Sequence, residues 1–216
     1  MQYEFVKEIG SNIPIPSSYK DVRVLVQSDY YRFMGRKASW FVMFCKTLIE
    51  PSFAFLFWHR ISALKRRNPL YIIAKILHRH YMFKYSLLIP SSTKIGYGLY
   101  LGHPSGIIIN HTAIIGNNVN LSQFTTIGSN EGKAAMIGDN VYIGPSCCLI
   151  EDVKIGAGVT IGAGAIVTKD IPEGAVAVGN PAKVLQNTKN VDYINNKWRT
   201  EYGTTISVSY THLRAH

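Results

Sequence analysis

Seven histidines are spread along the 216-residue chain, and two of them, His103 and His111, fall in a stretch dense in glycine and aliphatic residues. A histidine can take up a proton near neutral pH because its ordinary pKa lies close to 6.5. His103 stands in Leu101-Gly102-His103-Pro104-Ser105-Gly106. A base so placed could accept the proton of a hydroxyl as its oxygen attacks an acyl carbon. Donors must then stabilise the oxyanion that develops, and backbone amides can do this. No covalent enzyme intermediate is required. His111 is the competing candidate, as a group that touches an acceptor. His59, His78 and His80 fall in a helical pattern and read as structural or solvated. A zinc hydrolase would need about three converging histidines, and the two in this stretch make no convincing set.

The elements that must hold these residues are set by a period of six. Aliphatic residues recur at Ile95, Leu101 and Ile107, then Ile115, Leu121 and Ile127, then Ile137, Ile143 and Leu149, then Ile155, Ile161 and Val167. Six fits neither a helix nor a free strand, but it fits a solenoid whose triangular coils each use three short strands. Each aliphatic residue points inward and stacks on its counterpart in the next coil, with a glycine or small residue behind it to turn the chain. The register slips between Ile107 and Ile115 and again between Ile127 and Ile137. Both slips are expected at one corner, after the third strand of a coil. The expected fold is mainly β, a hexapeptide-repeat β-helix of about four coils, preceded by an α-helical N-terminal domain. His103, two residues past the inward Leu101, should lie at the outer surface of the first coil.

Several ordered pieces resemble the serine acetyltransferase-like branch of the hexapeptide acyltransferases. They are SDYYR at 28–32, FWHRI at 57–61, KIGYGLYLGHPSGIII at 94–109, NLSQFTTIG at 120–128 and VGNPAKVL at 178–185. The resemblance implies a left-handed helix, a homotrimer, acetyl-CoA as co-substrate, no metal, and His103 as the general base. It implies a groove between subunits for the pantetheine arm, bordered by Ser129, Gly144, Gly162 and Ala163, with the Ser129 amide facing the oxyanion. Lys169 and Lys183, with the Asn180-Pro181-Ala182 turn, would meet the nucleotide phosphates. Asp29, His111 and Gln123 are the expected acceptor contacts. The chain also departs from the family pattern. Leu88 stands where an aspartate orients the base, Gly102 where an aspartate helps hold the amino-acid acceptor, and GSNEGKAAM at 128–136 lacks a second histidine. Those absences point to an acetyl-CoA-dependent O-acetyltransferase whose acceptor is a sugar or polysaccharide hydroxyl. Serine O-acetylation and a non-catalytic scaffold are the alternatives.

Composition bounds the partners. Residues 1–88 carry 14 Lys and Arg against 5 Asp and Glu, so nearly all of the net +10 sits there. That field could attract an acidic polysaccharide, phosphates or the anionic lipid of a membrane touched peripherally, and the helical domains could separately add a second level of assembly beyond the trimer. No nucleic-acid motif accompanies it. The three cysteines make no disulfide framework and suit a cytoplasmic location, with the inner membrane face as the site of any lipid contact. The apolar stretch from Trp40 to Trp58 is broken by Lys46, Glu50 and Pro51 and should not span a bilayer.

Three regions are expected: a helical domain over 1–88, the β-helix over 89–185, and a C-terminal arm over 186–216. Residues 1–19, with Pro14 and Pro16, read as irregular. Helices are expected near 21–34, 39–49, 53–67 and 70–85, the last docking a stripe of Leu70, Ile73, Ala74, Leu77 and Tyr81. The final dozen residues read as translated cloning or adaptor sequence.

Overall fold

A computed structural model describes residues 1–64, 66, 68–186 and 192–199. The expectation for the final dozen residues falls outside them. The chain is mainly β, a parallel β-solenoid of about four turns preceded by four helices.

The first residues are not irregular. β1 (Gln2–Val6) and β2 (Ser11–Ile15) form an antiparallel hairpin. Both are edge strands of a two-stranded sheet, so Pro14 can lack an N–H without breaking a ladder. Val6, Ile9 and Ile13 are buried against Ile114 and Met136 of the solenoid.

α1 (Tyr19–Met34) begins at a capping box in which Ser18 accepts from the Asp21 N–H and Asp21 accepts from the Ser18 N–H. α2 (Trp40–Lys46) is capped by Ser39. α3 (Pro51–Ala63) and α4 (Pro69–Lys84) each start on a proline, whose missing N–H costs nothing at the first helical position. α3 is the most buried of the four helices, from Ser52 to Ser62, with Phe55 and Leu56 packed into the solenoid core. The docked face of α4 is turned from the expected one. Ala74 and His78 are buried, whereas Leu70 and Ile73 stay 41% and 49% exposed. Among the described residues no helix is long and apolar enough to cross a membrane.

The solenoid has three faces. The first stacks β3 (Lys94–Ile95), β6 (Ile114–Ile115), β9 (Met136–Ile137) and β12 (Lys154–Ile155). The second stacks β4 (Tyr100–Leu101), β7 (Asn120–Leu121), β10 (Tyr142–Ile143), β13 (Thr160–Ile161) and β15 (Val176–Val178), with β16 (Lys183–Val184) returning antiparallel on β15. The third stacks β5 (Ile108–Ile109), β8 (Thr126–Gly128), β11 (Cys148–Ile150) and β14 (Ile166–Val167). The inward columns are Ile95, Ile115, Ile137 and Ile155; Leu101, Leu121, Ile143 and Ile161; and Ile109, Ile127, Leu149 and Val167. Most are fully buried, in one continuous core.

This pairing corrects the expected corner. Ile109, not Ile107, aligns with Ile127, so the first slip lies between the second and third faces, within the turn that carries His103. Because side chains alternate along an extended segment, Ile107 and Ile109 are both buried, and period counting cannot separate them. The second slip, before Ile137, does lie between the third and first faces. We call these the histidine edge and the loop edge. At the remaining edge the chains run closest: a Cβ on Gly116 would lie 2.6 Å from the Gly138 carbonyl carbon.

Candidate active site

The two extra residues widen the turn after β4, and they bring His103 to the surface at the start of the histidine edge. Beside it opens a cleft of about 320 Å3 lined by Tyr100, Gly102, His103, Asn120, Leu121, Ser122, Gln123, Tyr142 and Pro145. None of these side chains is an aspartate, glutamate, lysine or arginine. Asn120 is fixed by Arg32, whose Nη2 donates to its Oδ1 at 2.6 Å, and its own Nδ2 donates to the Tyr193 carbonyl at 3.3 Å. The Tyr193 ring lies 4.9 Å from that of Tyr142, so the arm over 192–199 returns across the second face, where it lines a separate pocket with Asn140, Tyr142 and Thr160. Among the described residues no side chain hydrogen-bonds the His103 imidazole. Leu88 joins the same coil through its backbone only, donating to the Ile107 carbonyl and accepting from the Ile109 N–H, both at 2.8 Å.

The other expected site residues divide between two edges. Gln123, Gly144, Gly162, Ala163 and the Asn180-Pro181 turn follow His103 up the histidine edge, one coil after another. Four coil steps of about 4.8 Å make a track about 19 Å long. The small residues are there because the coils touch: a Cβ on Gly144 would sit 2.8 Å from the Ala163 nitrogen. The turn is held to the third face, where Ile166 N–H donates to the Gly179 carbonyl and Ala182 N–H to the Ile166 carbonyl. Lys183 is exposed on β16 at the end of this track.

Ser129, His111 and Lys169 lie instead on the loop edge. Within one chain, therefore, Lys169 and Lys183 stand on different edges, and neither His111 nor Ser129 lines the cleft at His103. Ser129 is gripped by Glu151, which also accepts from the Asn130 and Glu131 amides. Those hydrogen bonds, the Asn130 N–H first and the Ser129 hydroxyl next, hold the Glu151 carboxyl below its usual range. The hexad pattern carries no sign of that residue.

Asp29 corrects an expectation. It is fully buried, and Arg60 Nε and Nη2 donate to its two oxygens at 2.8 and 2.9 Å. The Leu99 amide donates to it as well, and Arg60 Nη1 and Nη2 reach the Ile95 and Gly96 carbonyls. Burying one carboxylate needs such a matched set of donors, so Asp29 joins α1 and α3 to the first coil and offers no oxygen to an acceptor. Cys147 is buried, which pushes its thiol up and leaves it inert as a nucleophile. Among the described residues no three His, Cys, Asp or Glu side chains cluster as a metal site.

Residues 134–169 match the family described as bacterial transferase hexapeptide (six repeats). The serine acetyltransferase of Buchnera aphidicola subsp. Schizaphis graminum is 34% identical over 197 residues, covering 86% of this chain and 70% of the relative. Serine acetyltransferase 3 of Arabidopsis thaliana, a mitochondrial protein, is 35% identical over 136 residues, which is 61% of this chain. This chain spans 35% of that relative's length. The structure of soybean serine acetyltransferase complexed with serine is similar with a TM-score of 0.57 at 34% identity, covering 64% of this chain and 58% of that one.

Proposed function

The chain belongs to the serine acetyltransferase family of hexapeptide-repeat transferases, and from that premise we propose that it transfers the acetyl group of acetyl-CoA to a hydroxyl, with His103 as general base. The observation that carries the reading is His103 on the widened first-coil turn, at the open end of a track of small residues. In the reaction the imidazole takes the hydroxyl proton while the oxygen bonds to the thioester carbonyl carbon. The tetrahedral intermediate collapses by breaking the C–S bond, and the imidazolium returns the proton to the leaving thiolate. Backbone amides stabilise the oxyanion.

L-Serine is the acceptor that the comparisons favour, since the relatives are serine acetyltransferases and the soybean structure holds serine. A second reading, the hydroxyl of a sugar, is favoured by the cleft. The part of its lining that one chain supplies offers no lysine or arginine for a carboxylate and no carboxylate for an ammonium group, while Tyr100 and Tyr142 suit a neutral polyol. Purified protein is given acetyl-CoA with L-serine, or with nucleotide sugars and oligosaccharides, and release of CoA thiol is followed. Release with serine establishes the first reading, release only with sugars the second. Release with neither, together with no thermal shift from CoA, makes the protein a scaffold.

The same proposal includes a cytoplasmic homotrimer whose sites lie between copies. The split of candidate residues supports it. If the histidine edge of one copy faces the loop edge of its neighbour, Ser129 and Lys169 rejoin the track that holds His103, and such a head-to-tail contact closes as a ring of three. It also includes a peripheral contact with an anionic membrane through the helices. Residues 35–88 contain ten Lys and Arg and one acid, Glu50, and on α4 Ile72, Ile76 and Phe83 are 56%, 62% and 70% exposed. Arg79 lies over the Phe83 ring at 5.0 Å, so cationic heads rim an apolar stripe.

A further inference from the structure

Glu151 directly follows β11 with φ at +58°, a left-handed conformation that glycine adopts freely and a glutamate rarely does. The loop edge turns through that region elsewhere at Gly132. A glycine at 151 would therefore be the relaxed choice, and the strain is retained with a long carboxylate on it. What the carboxylate does is specific. One oxygen accepts from the Asn130 amide at 2.9 Å; the other accepts from the Ser129 hydroxyl at 2.5 Å and the Glu131 amide at 3.2 Å. The Glu151 amide itself donates to the Gly128 carbonyl at 2.9 Å. Residues 128–131 are thus tied to the next coil by four hydrogen bonds, all from one residue. From the preceding coil Asn110 Nδ2 donates to the Ser129 carbonyl at 3.4 Å, and at the far side of the loop the Ala134 amide donates to Thr112 Oγ1 at 3.0 Å and the Ala135 carbonyl accepts from the Ile114 amide at 3.2 Å.

We propose that Glu151 is the positioning residue of the reaction: it fixes the 128–131 loop so that the Ser129 amide is pre-set for the oxyanion. The inference rests on the acyltransferase reading above and on its trimer, in which the loop edge of one copy meets the histidine edge of the next. Left-handed turns recur in the coils, at Phe124 and Ser146 among others, so it is the grip of the carboxylate on 128–131 that points to a function for this side chain. Pre-set donors act on the transition state because they need no reorganisation as charge develops. The loss should fall on kcat, with the KM for acetyl-CoA little changed.

Glu151→Gly and Glu151→Gln separate this role from a structural one. Glycine relieves the backbone and removes the grip, so its melting temperature should equal or exceed that of the parent. Glutamine keeps the backbone and the size but loses the charge that strengthens the bonds to the loop. Both should lower kcat on the order of tenfold, the factor that about 1.4 kcal/mol represents, and leave the KM for acetyl-CoA within about twofold. Parent activity with an unchanged Glu151→Gly kcat would overturn this inference alone. A fall in melting temperature in both variants, in step with activity, would make Glu151 structural and overturn it too. No thiol release by the parent with any acceptor would instead overturn the activity reading.

Discussion

At the scale of the residue, a base, a clamp and an anchor separate cleanly. His103 stands at the surface on a turn widened by two residues, which gives an acceptor hydroxyl access to its ring. His103→Ala should leave the melting temperature unchanged and lower acetyl transfer by roughly 10²–10⁴-fold, the usual contribution of a general base. Turnover equal to the parent's would remove His103 from the mechanism. The frame on both sides of this histidine was legible in sequence. Asp29 was legible as a motif but misread, because a match to SDYYR cannot tell a carboxylate that faces a ligand from one buried against Arg60. Glu151 was not legible at all. Its role depends on stacking, which sets it one coil beyond the loop it holds, 20 to 22 residues away in sequence.

At the scale of the element, α3 and α4 meet through two buried histidines, His59 Nδ1 lying 3.3 Å from His78 Nε2. Burial, helped by the Lys75 charge, pulls His78 down to about 4; burial, with His78 and Arg60 adding, pulls His59 well below its ordinary value. Both are neutral in the fold at pH 7, whereas in the unfolded chain they bind protons below about 6.5. Between those values the unfolded state holds more protons, so stability falls as the pH drops. The melting temperature should decline from pH 7 toward pH 4.5, and His78→Gln should flatten that decline. An equal slope in parent and variant would show that the pair carries none of it. The helices themselves were read from proline and apolar spacing to within a few residues. The face α4 docks was not, since Leu70 and Ile73 fit the stripe as well as His78 does, and only the packing partner selects among them.

At the scale of the whole molecule, the candidate residues occupy two edges of one prism, and a trimer would join an edge of each copy to the other edge of the next. Co-expressed His103→Ala and Glu151→Gln chains should then form mixed trimers more active than either parent trimer, because some interfaces pair an intact histidine edge with an intact loop edge. No gain on mixing would place the whole site within one chain. The basic helices predict a second property. Vesicles containing anionic phospholipid should sediment the protein at low salt, whereas neutral vesicles should not, and Ile76→Glu should weaken the binding. Equal recovery from both kinds of vesicle would rule out charge as the basis of the contact.

The period of six by itself determined a solenoid of about four turns, the inward set of aliphatic residues apart from Ile107 and Ile109, and the surface position of His103. Stacking demands one apolar residue per short strand and favours a small residue at the turn, and the first demand is written in every hexad, the second in most of them. Only the tertiary structure decided which corner absorbed the first slip, and therefore that the extra residues belong to the histidine turn. It also decided that Ser129 and Lys169 lie on a different edge from His103, and which carboxylates serve the fold. The physical reason is that a local pattern records what each residue faces, inward or outward. Contacts between coils, between helix and coil, and between edges depend on register, and register exists only once the chain has closed its turns.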